Sequence, residues 1–154
     1  MQESVWDYPR PPRVVSCNDR VIARFNGQVL VDTMSSFRVL ETSHPPGYYL
    51  PITSFLPGAL EPNHRRTMCE FKGAAAYFDI VLDGRRADAA AWHYPEPEVG
   101  YEVLRDHVAL YPGLIDECSV NGELVTKQDG DFYGGWITRN ILGPFKGAPG
   151  TLGW

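Results

Sequence analysis

Residues 20–33 read Arg-Val-Ile-Ala-Arg-Phe-Asn-Gly-Gln-Val-Leu-Val-Asp-Thr, two runs rich in β-branched and aromatic side chains on either side of an Asn-Gly pair. Asn26-Gly27 is the dipeptide preferred at the two central positions of a type I′ turn, so 20–25 and 28–33 are expected to pair as a tight hairpin. The same signature recurs at Asp83-Gly84, between 76–82 and 86–94, and at Asn121-Gly122, between 114–120 and 123–127. Segments 13–17, 37–42, 48–50 and 67–72 also read as strands, and 67–72, 76–82 and 86–94 follow one another as an antiparallel meander. The strands around the three turns share no residue pattern, so there is no internal repeat. With 15 glycines and 13 prolines the chain is broken too often for a helical bundle. Only 98–110 has a helical pattern, with Val99, Val103 and Leu104 spaced for one face and acids near its start. A helical turn also fits in 52–60 before Pro57-Gly58. The expected fold class is mainly β, antiparallel sheets with one short helix.

At 154 residues, 44% of them hydrophobic, the chain suits one domain with a core of its own. Residues 1–12 form a proline-rich arm expected to drape over a β-rich core at 13–127 without adding an element to it, and 128–154 form a Gly-rich, aromatic extension. Leaving Phe132, Tyr133, Trp136, Phe145 and Trp154 in water would forfeit roughly 1.5–3 kcal/mol for each large side chain. The extension should therefore pack on the domain or on a second subunit, which leaves a homodimer open.

The formal net charge of −5 and the scattered basic residues argue against nucleic acid, whose phosphates call for a clustered positive field. Cys17, Cys69 and Cys118 are odd in number, widely spaced and without a Cys-x-x-Cys pair, so neither a disulfide framework nor a structural zinc site is expected. No metal and no cofactor is called for. The N-terminus has no basic and apolar leader, and no run approaches the roughly 18 apolar residues of a membrane span. A soluble protein of a reducing cytoplasm is expected.

Known catalytic signatures are missing: no phosphate loop, no His-Glu-x-x-His and no Gly-x-Ser-x-Gly. Gly143-Pro144-Phe145-Lys146-Gly147 has glycines and a lysine but lacks the spacing that aims backbone amides at phosphate. Three clusters instead look like site material: Glu41-Thr-Ser-His-Pro-Pro-Gly-Tyr-Tyr-Leu-Pro51, Cys69-Glu-Phe-Lys-Gly73 and Trp92-His-Tyr-Pro95. Prolines hold His44 out of regular pairing, so its imidazole either serves as an acid or base or closes the loop through a hydrogen bond to a carbonyl. On a strand through 69–72, alternation sets Glu70 and Lys72 on one face, beside Tyr77 and Asp79 of the next strand, whose Phe78, Ile80 and Leu82 turn to the core. Glu70 and Lys72 then either orient a substrate or form an ordinary exposed ion pair. Trp92 and Tyr94 present two rings to one side, and with Tyr48, Tyr49 and Trp136 they either wall a slot for a planar or cationic ligand or belong to the core. Asp129 and Asp131 either hold a cation or flank a solvated turn.

These clusters, together with residues 107–112, resemble the family catalogued as domain of unknown function 427, over residues 12–125. The tail at Gly134-Gly-Trp-Ile-Thr138 and Gly143-Pro-Phe-Lys-Gly147 is similar to a longer subgroup of that family. The resemblance implies a compact antiparallel fold like the β-tent group, in which two sheets meet at an angle. The zinc knuckles of many β-tent proteins have no counterpart here. Nor do the glycine-serine loop and acidic triad that a nucleotidyltransferase label would require.

The residues together predict a pocket for a small polar or aromatic molecule, lined by Glu41, His44, Tyr48, Tyr49, Glu70, Lys72, Tyr77, Trp92, Tyr94 and Trp136. If it is catalytic, His44 is the acid or base, Lys72 meets an anionic or carbonyl group and Glu70 is the partner of Lys72. The rival reading is a non-catalytic interaction or dimerisation module.

Overall fold

Asn26 and Gly27 both take positive φ, 52° and 77°, as do Asp83 and Gly84 (49°, 82°) and Asn121 and Gly122 (49°, 84°). All three expected hairpin turns therefore form, each using the pair of residues that tolerates left-handed backbone. In the computed structural model, which describes residues 2–129, 133–148, 150–151 and 153–154, the strands are β1 (Glu3–Ser4), β2 (Arg13–Cys17), β3 (Val21–Phe25), β4 (Gln28–Thr33), β5 (Ser36–Leu40), β6 (Gly47–Pro51), β7 (Leu60–Cys69) and β8 (Gly73–Leu82). Then come β9 (Arg85–His93), β10 (His107–Leu110), β11 (Glu117–Val120), β12 (Glu123–Leu124), β13 (Thr126–Lys127), β14 (Trp136–Ile137) and β15 (Ile141–Leu142). Among the described residues strands hold 50% and no helix reaches seven residues, so the fold is mainly β.

Seven strands form one antiparallel sheet in the order β2-β5-β6-β10-β9-β8-β7, and four form a second, β12-β11-β3-β4. Val21, Ala23 and Phe25 alternate inward along β3, and with Leu30 and Val31 of β4 they meet Leu50, Ile80, Val108 and Leu110 of the large sheet in one buried cluster. The opposite face of the large sheet carries a second cluster built on rings, including Tyr49, Tyr77, Trp92 and Tyr111. Alternation assigns the two faces: along β6, Tyr48 and Leu50 enter the first cluster and Tyr49 the second.

The helical window narrows to a single 3₁₀ turn at Glu102–Leu104, and its end, His107–Leu110, becomes β10. Four consecutive residues, Val108 to Tyr111, divide between the two clusters by alternation, and that burial on both faces overrides the weak helical spacing. Ile52–Ser54 is a 3₁₀ turn, as the residues before Pro57 allow. Strand β7 ends at Cys69, so Glu70, Phe71 and Lys72 make the turn into β8 instead of continuing the strand. Ile80 is fully buried in the first cluster with Phe78 and Leu82 against it, but Asp79 sits at an irregularity of the β8–β9 pairing. There it accepts hydrogen bonds from the Ala89 amide, Asn63 and Arg86.

The arm adds an element as well as draping. β1 pairs in parallel with β15, and Val5, Tyr8 and Ile141 form a third buried cluster. The extension enters the first cluster through Trp136, which is 1% exposed, lies 4.9 Å from the Tyr48 ring and donates its indole N–H to the Leu110 carbonyl at 3.2 Å. Phe132 lies outside the described residues.

Trp136→Ala is expected to lower the free energy of unfolding by about 3–5 kcal/mol, the usual cost of emptying a buried ring site. Equilibrium urea unfolding measures it. A loss under about 1 kcal/mol would mean that the extension does not complete this core.

Candidate functional site

A cavity of about 490 Å3 opens on the ring-bearing face of the large sheet. Its floor is set by strand register. Tyr49 pairs with Ala109, Ala109 with Trp92, and Trp92 with Tyr77, so these residues form one row across β6, β10, β9 and β8. Ala109 leaves a gap in that row, and the Tyr49 and Trp92 rings stand edge to face across it, 6.3 Å apart. Tyr94 lies 6.1 Å from Tyr49 and Tyr111 lies 4.5 Å from Trp92. The Tyr77 hydroxyl is 3.0 Å from the Thr67 hydroxyl.

The extension closes the cavity from the other side. A Cβ on Gly134 would collide with the Trp92 ring, and one on Gly135 would collide with Gln128 and Pro45, so only glycine lets the backbone lie this close. Gln128, itself buried, ties the two ends of the extension together. Its side-chain carbonyl accepts from the Gly135 amide at 3.1 Å and its amide donates to the Lys146 carbonyl at 2.6 Å.

The loop between β5 and β6 supplies His44. Ser43 takes positive φ of 70° and is pinned from both sides, its amide donating to the Val5 carbonyl at 3.1 Å and its carbonyl accepting from Lys146 at 2.8 Å. The His44 Nδ1 lies 2.9 Å from the Thr42 carbonyl. A carbonyl only accepts, so Nδ1 carries the proton and Nε2 presents a lone pair. Burial first, then Lys146 and Arg10, hold this imidazole below its ordinary value against the pull of Glu41 and Thr42, so it is neutral at pH 7. Glu41 pairs with Arg10 of the arm at 3.5 Å.

Lys72 is 8% exposed and its ammonium lies 5.7 Å over the Tyr94 ring. Burial works against its charge, but Tyr49, Cys69 and Glu41 outweigh burial and hold it above its ordinary value. Burial also pushes the Tyr94 and Tyr111 hydroxyls far up, so both stay protonated donors.

Of the ten residues predicted to line a site, Glu41, His44, Tyr49, Glu70, Lys72, Tyr77, Trp92 and Tyr94 border this cavity. Tyr48 and Trp136 do not; they stack on each other in the first cluster, because alternation along β6 turns Tyr48 away from Tyr49. Glu70 is not the partner of Lys72. Being in a turn, the two do not share a strand face, and Glu70 is exposed at the edge with no ion pair to that ammonium. Tyr111, Cys69, Gln128, Arg10 and Lys146 border the cavity and were not read as ligand-lining from the sequence. A strand instead of a helix at 107–110 would have exposed Tyr111 as the next same-face residue after Ala109. Asp131 lies outside the described residues, and among those described no three His, Cys, Asp or Glu side chains gather to hold a metal. No helix among them is long and apolar enough to cross a membrane.

Comparison with known families matches residues 13–121 to the model described as a domain of unknown function (DUF427). The match takes in β2 to β11 and stops before the extension that closes the cavity. A search of curated proteins finds no match.

The half-buried imidazoles set the pH dependence. His44, His93 and His107 are all held below 6.5, with burial as the first cause in each. Below that value the unfolded chain takes up more protons than the folded one, so stability that is complete above about pH 6.5 falls as pH drops through the folded-state values. The urea midpoint should decline from about pH 7 to about pH 5, before the ion-paired carboxylates of Glu3, Asp79 and Asp116, also held low, give up their share in stronger acid. His44→Asn should shrink the decline. A flat midpoint over that range counts against neutral, half-buried imidazoles.

Proposed function

The chain belongs to the family described as a domain of unknown function (DUF427), a description that carries no activity, and we propose from the pocket itself that the protein binds a small planar molecule with polar substituents between Tyr49, Trp92 and Tyr94. A layer of rings packed for stability alone would be covered on its outer side as well. Here they border about 490 Å3 of open space, within the ~300–1,000 Å3 usual for small-molecule sites. That space, walled by rings and edged by His44 and Lys72, is the observation that carries the reading. The rings offer flat stacking surfaces, and the Tyr94 and Tyr111 hydroxyls remain donors.

We extend the proposal to cofactor-free acid–base chemistry on the bound molecule. His44, neutral with its proton fixed at Nδ1, offers Nε2 to take a proton from an acidic N–H, O–H or C–H group, and Glu41 with the Thr42 carbonyl favours the imidazolium that results. Lys72 is the group that meets the carbonyl or anionic part of the substrate. A hydrolase, lyase or isomerase fits this pair. All three cysteines are free, which suits the reducing cytoplasm proposed as its compartment.

A thermal-shift panel of nucleobases, aromatic acids and amides, sugar phosphates and divalent metals tests this reading, with Trp92 fluorescence as a second readout. A planar compound at a hundred times its Kd should stabilise the protein by about 2.7 kcal/mol, a rise of a few degrees, and His44→Ala and Tyr49→Leu should weaken it. No response across the panel, or a response indifferent to both substitutions, would leave the pocket without a role in binding.

A further inference from the structure

We infer that the ligand is a planar ring bearing a carboxylate, and that this carboxylate is the counterion of Lys72. The inference rests on the binding reading above and adds the charge and chemical class of what is bound.

The Lys72 ammonium has left water without forming an ion pair. Lys72 is 8% exposed, and among the described residues no carboxylate forms an ion pair with it. Tyr49, Cys69 and Glu41 favour its charge, but none of them is a carboxylate in ion-pair contact with it. Glu41 is taken by Arg10, and Glu70 points to solvent from the turn. The Tyr94 ring contributes only its quadrupole, at 5.7 Å. Tyr94 and Tyr111 keep their protons. A buried charge without a partner costs several kcal/mol in order of magnitude, and a chain whose net charge is −5 has carboxylates to spare for this purpose. Among the described residues none of them, Glu41 and Glu70 at the cavity border included, closes on this ammonium, which leaves the counterion to be supplied from outside.

The surroundings narrow its chemistry. The niche opens onto the row of rings at Tyr49 and Trp92, so the anion sits at the edge of something flat. Of the cations that border the cavity, Arg10 is paired with Glu41 and the Lys146 ammonium donates to the Trp154 main-chain oxygen at 3.4 Å beside the Tyr133 ring, so the Lys72 ammonium is left to match the single charge of a carboxylate. Phosphate carries close to two charges and is usually met by a helix N-terminus or by successive backbone N–H groups, and among the described residues no helix reaches seven residues. On the loop wall, His44 Nε2 accepts, which favours a ring that also carries a hydroxyl or N–H donor.

The test is calorimetric titration of the full chain with 4-hydroxybenzoate and indole-3-carboxylate, with the carboxamide of each as a neutral isostere, and with phenyl phosphate. At least one carboxylate should bind about tenfold or more tightly than its amide. Lys72→Met should abolish that preference, and Lys72→Arg should keep part of it. Without ligand, Lys72→Met should melt at the same temperature as the wild type or a few degrees higher, because it removes an unpaired buried charge. Amides that bind as well as their acids would overturn the carboxylate while leaving the binding pocket intact. Tighter binding of phenyl phosphate would overturn the choice of carboxylate. Ligand-free Lys72→Met melting several degrees lower would make Lys72 a structural residue and end the proposal. If no member of the set binds, charged or neutral, the carboxylate assignment and the pocket reading fall together.

Discussion

The period-two alternation of side chains through the large sheet is the constraint on which the rest of this structure depends. Each strand in its middle is buried on both faces, and each residue step changes the face. On β6 that step separates Tyr48 from Tyr49, which share one side-chain chemistry. Tyr48 stacks on Trp136 in the apolar core between the sheets, while Tyr49 joins the rings on the other face. A slip of one residue in the pairing of β6 with β10 would exchange the two and dismantle core and pocket together. The same stepping along β10 gives Val108 and Leu110 to the core and Ala109 and Tyr111 to the ring face. A small residue thereby falls between two large rings.

Core and pocket are also joined through the C-terminal extension. Trp136 anchors it in the first cluster, and the two glycines just before that anchor are held against Trp92 and Pro45 on the pocket side. The backbone amide of Trp136 donates to the Pro46 carbonyl at 2.8 Å, so the loop that carries His44 and the segment that closes the cavity share a hydrogen bond. Burial of one indole thus places a wall of the site. The arm is drawn in as well, with Val5 and Tyr8 packed under Ile141 and Arg10 paired with Glu41. The pocket is therefore assembled from both ends of the sequence around a sheet made from its middle.

Stability and chemistry pull apart at the edge of this cavity. The rings and the glycine contacts are favourable packing, but an ammonium in the same niche, held charged without a carboxylate in ion-pair contact, is not explained by packing. His44 differs in that its environment suppresses its charge, and its one committed hydrogen bond selects the tautomer. The two groups nearest to chemistry are thus tuned in opposite directions, one held positive and one held neutral.

The three Asn-Gly and Asp-Gly pairs determined, without any tertiary information, where the chain would reverse, because few other residues accept left-handed backbone at both turn positions. Composition determined that the fold would be mainly β, and proline and glycine kept the His44 segment a loop. Eight of the ten proposed lining residues were legible because rings, an imidazole and charges were crowded into segments with no regular pattern. What only the tertiary structure decided was facing and partnership. Whether 107–110 was helix or strand turned on burial against two layers, which local spacing does not encode. Tyr48 and Trp136 left the site because face assignment follows register. Glu70 and Lys72 parted because a strand expected to continue ended at Cys69. Arg10, Gln128 and Lys146 reached the site because distant segments fold back over it, and contacts of that sequence separation are set by packing rather than by any local signal.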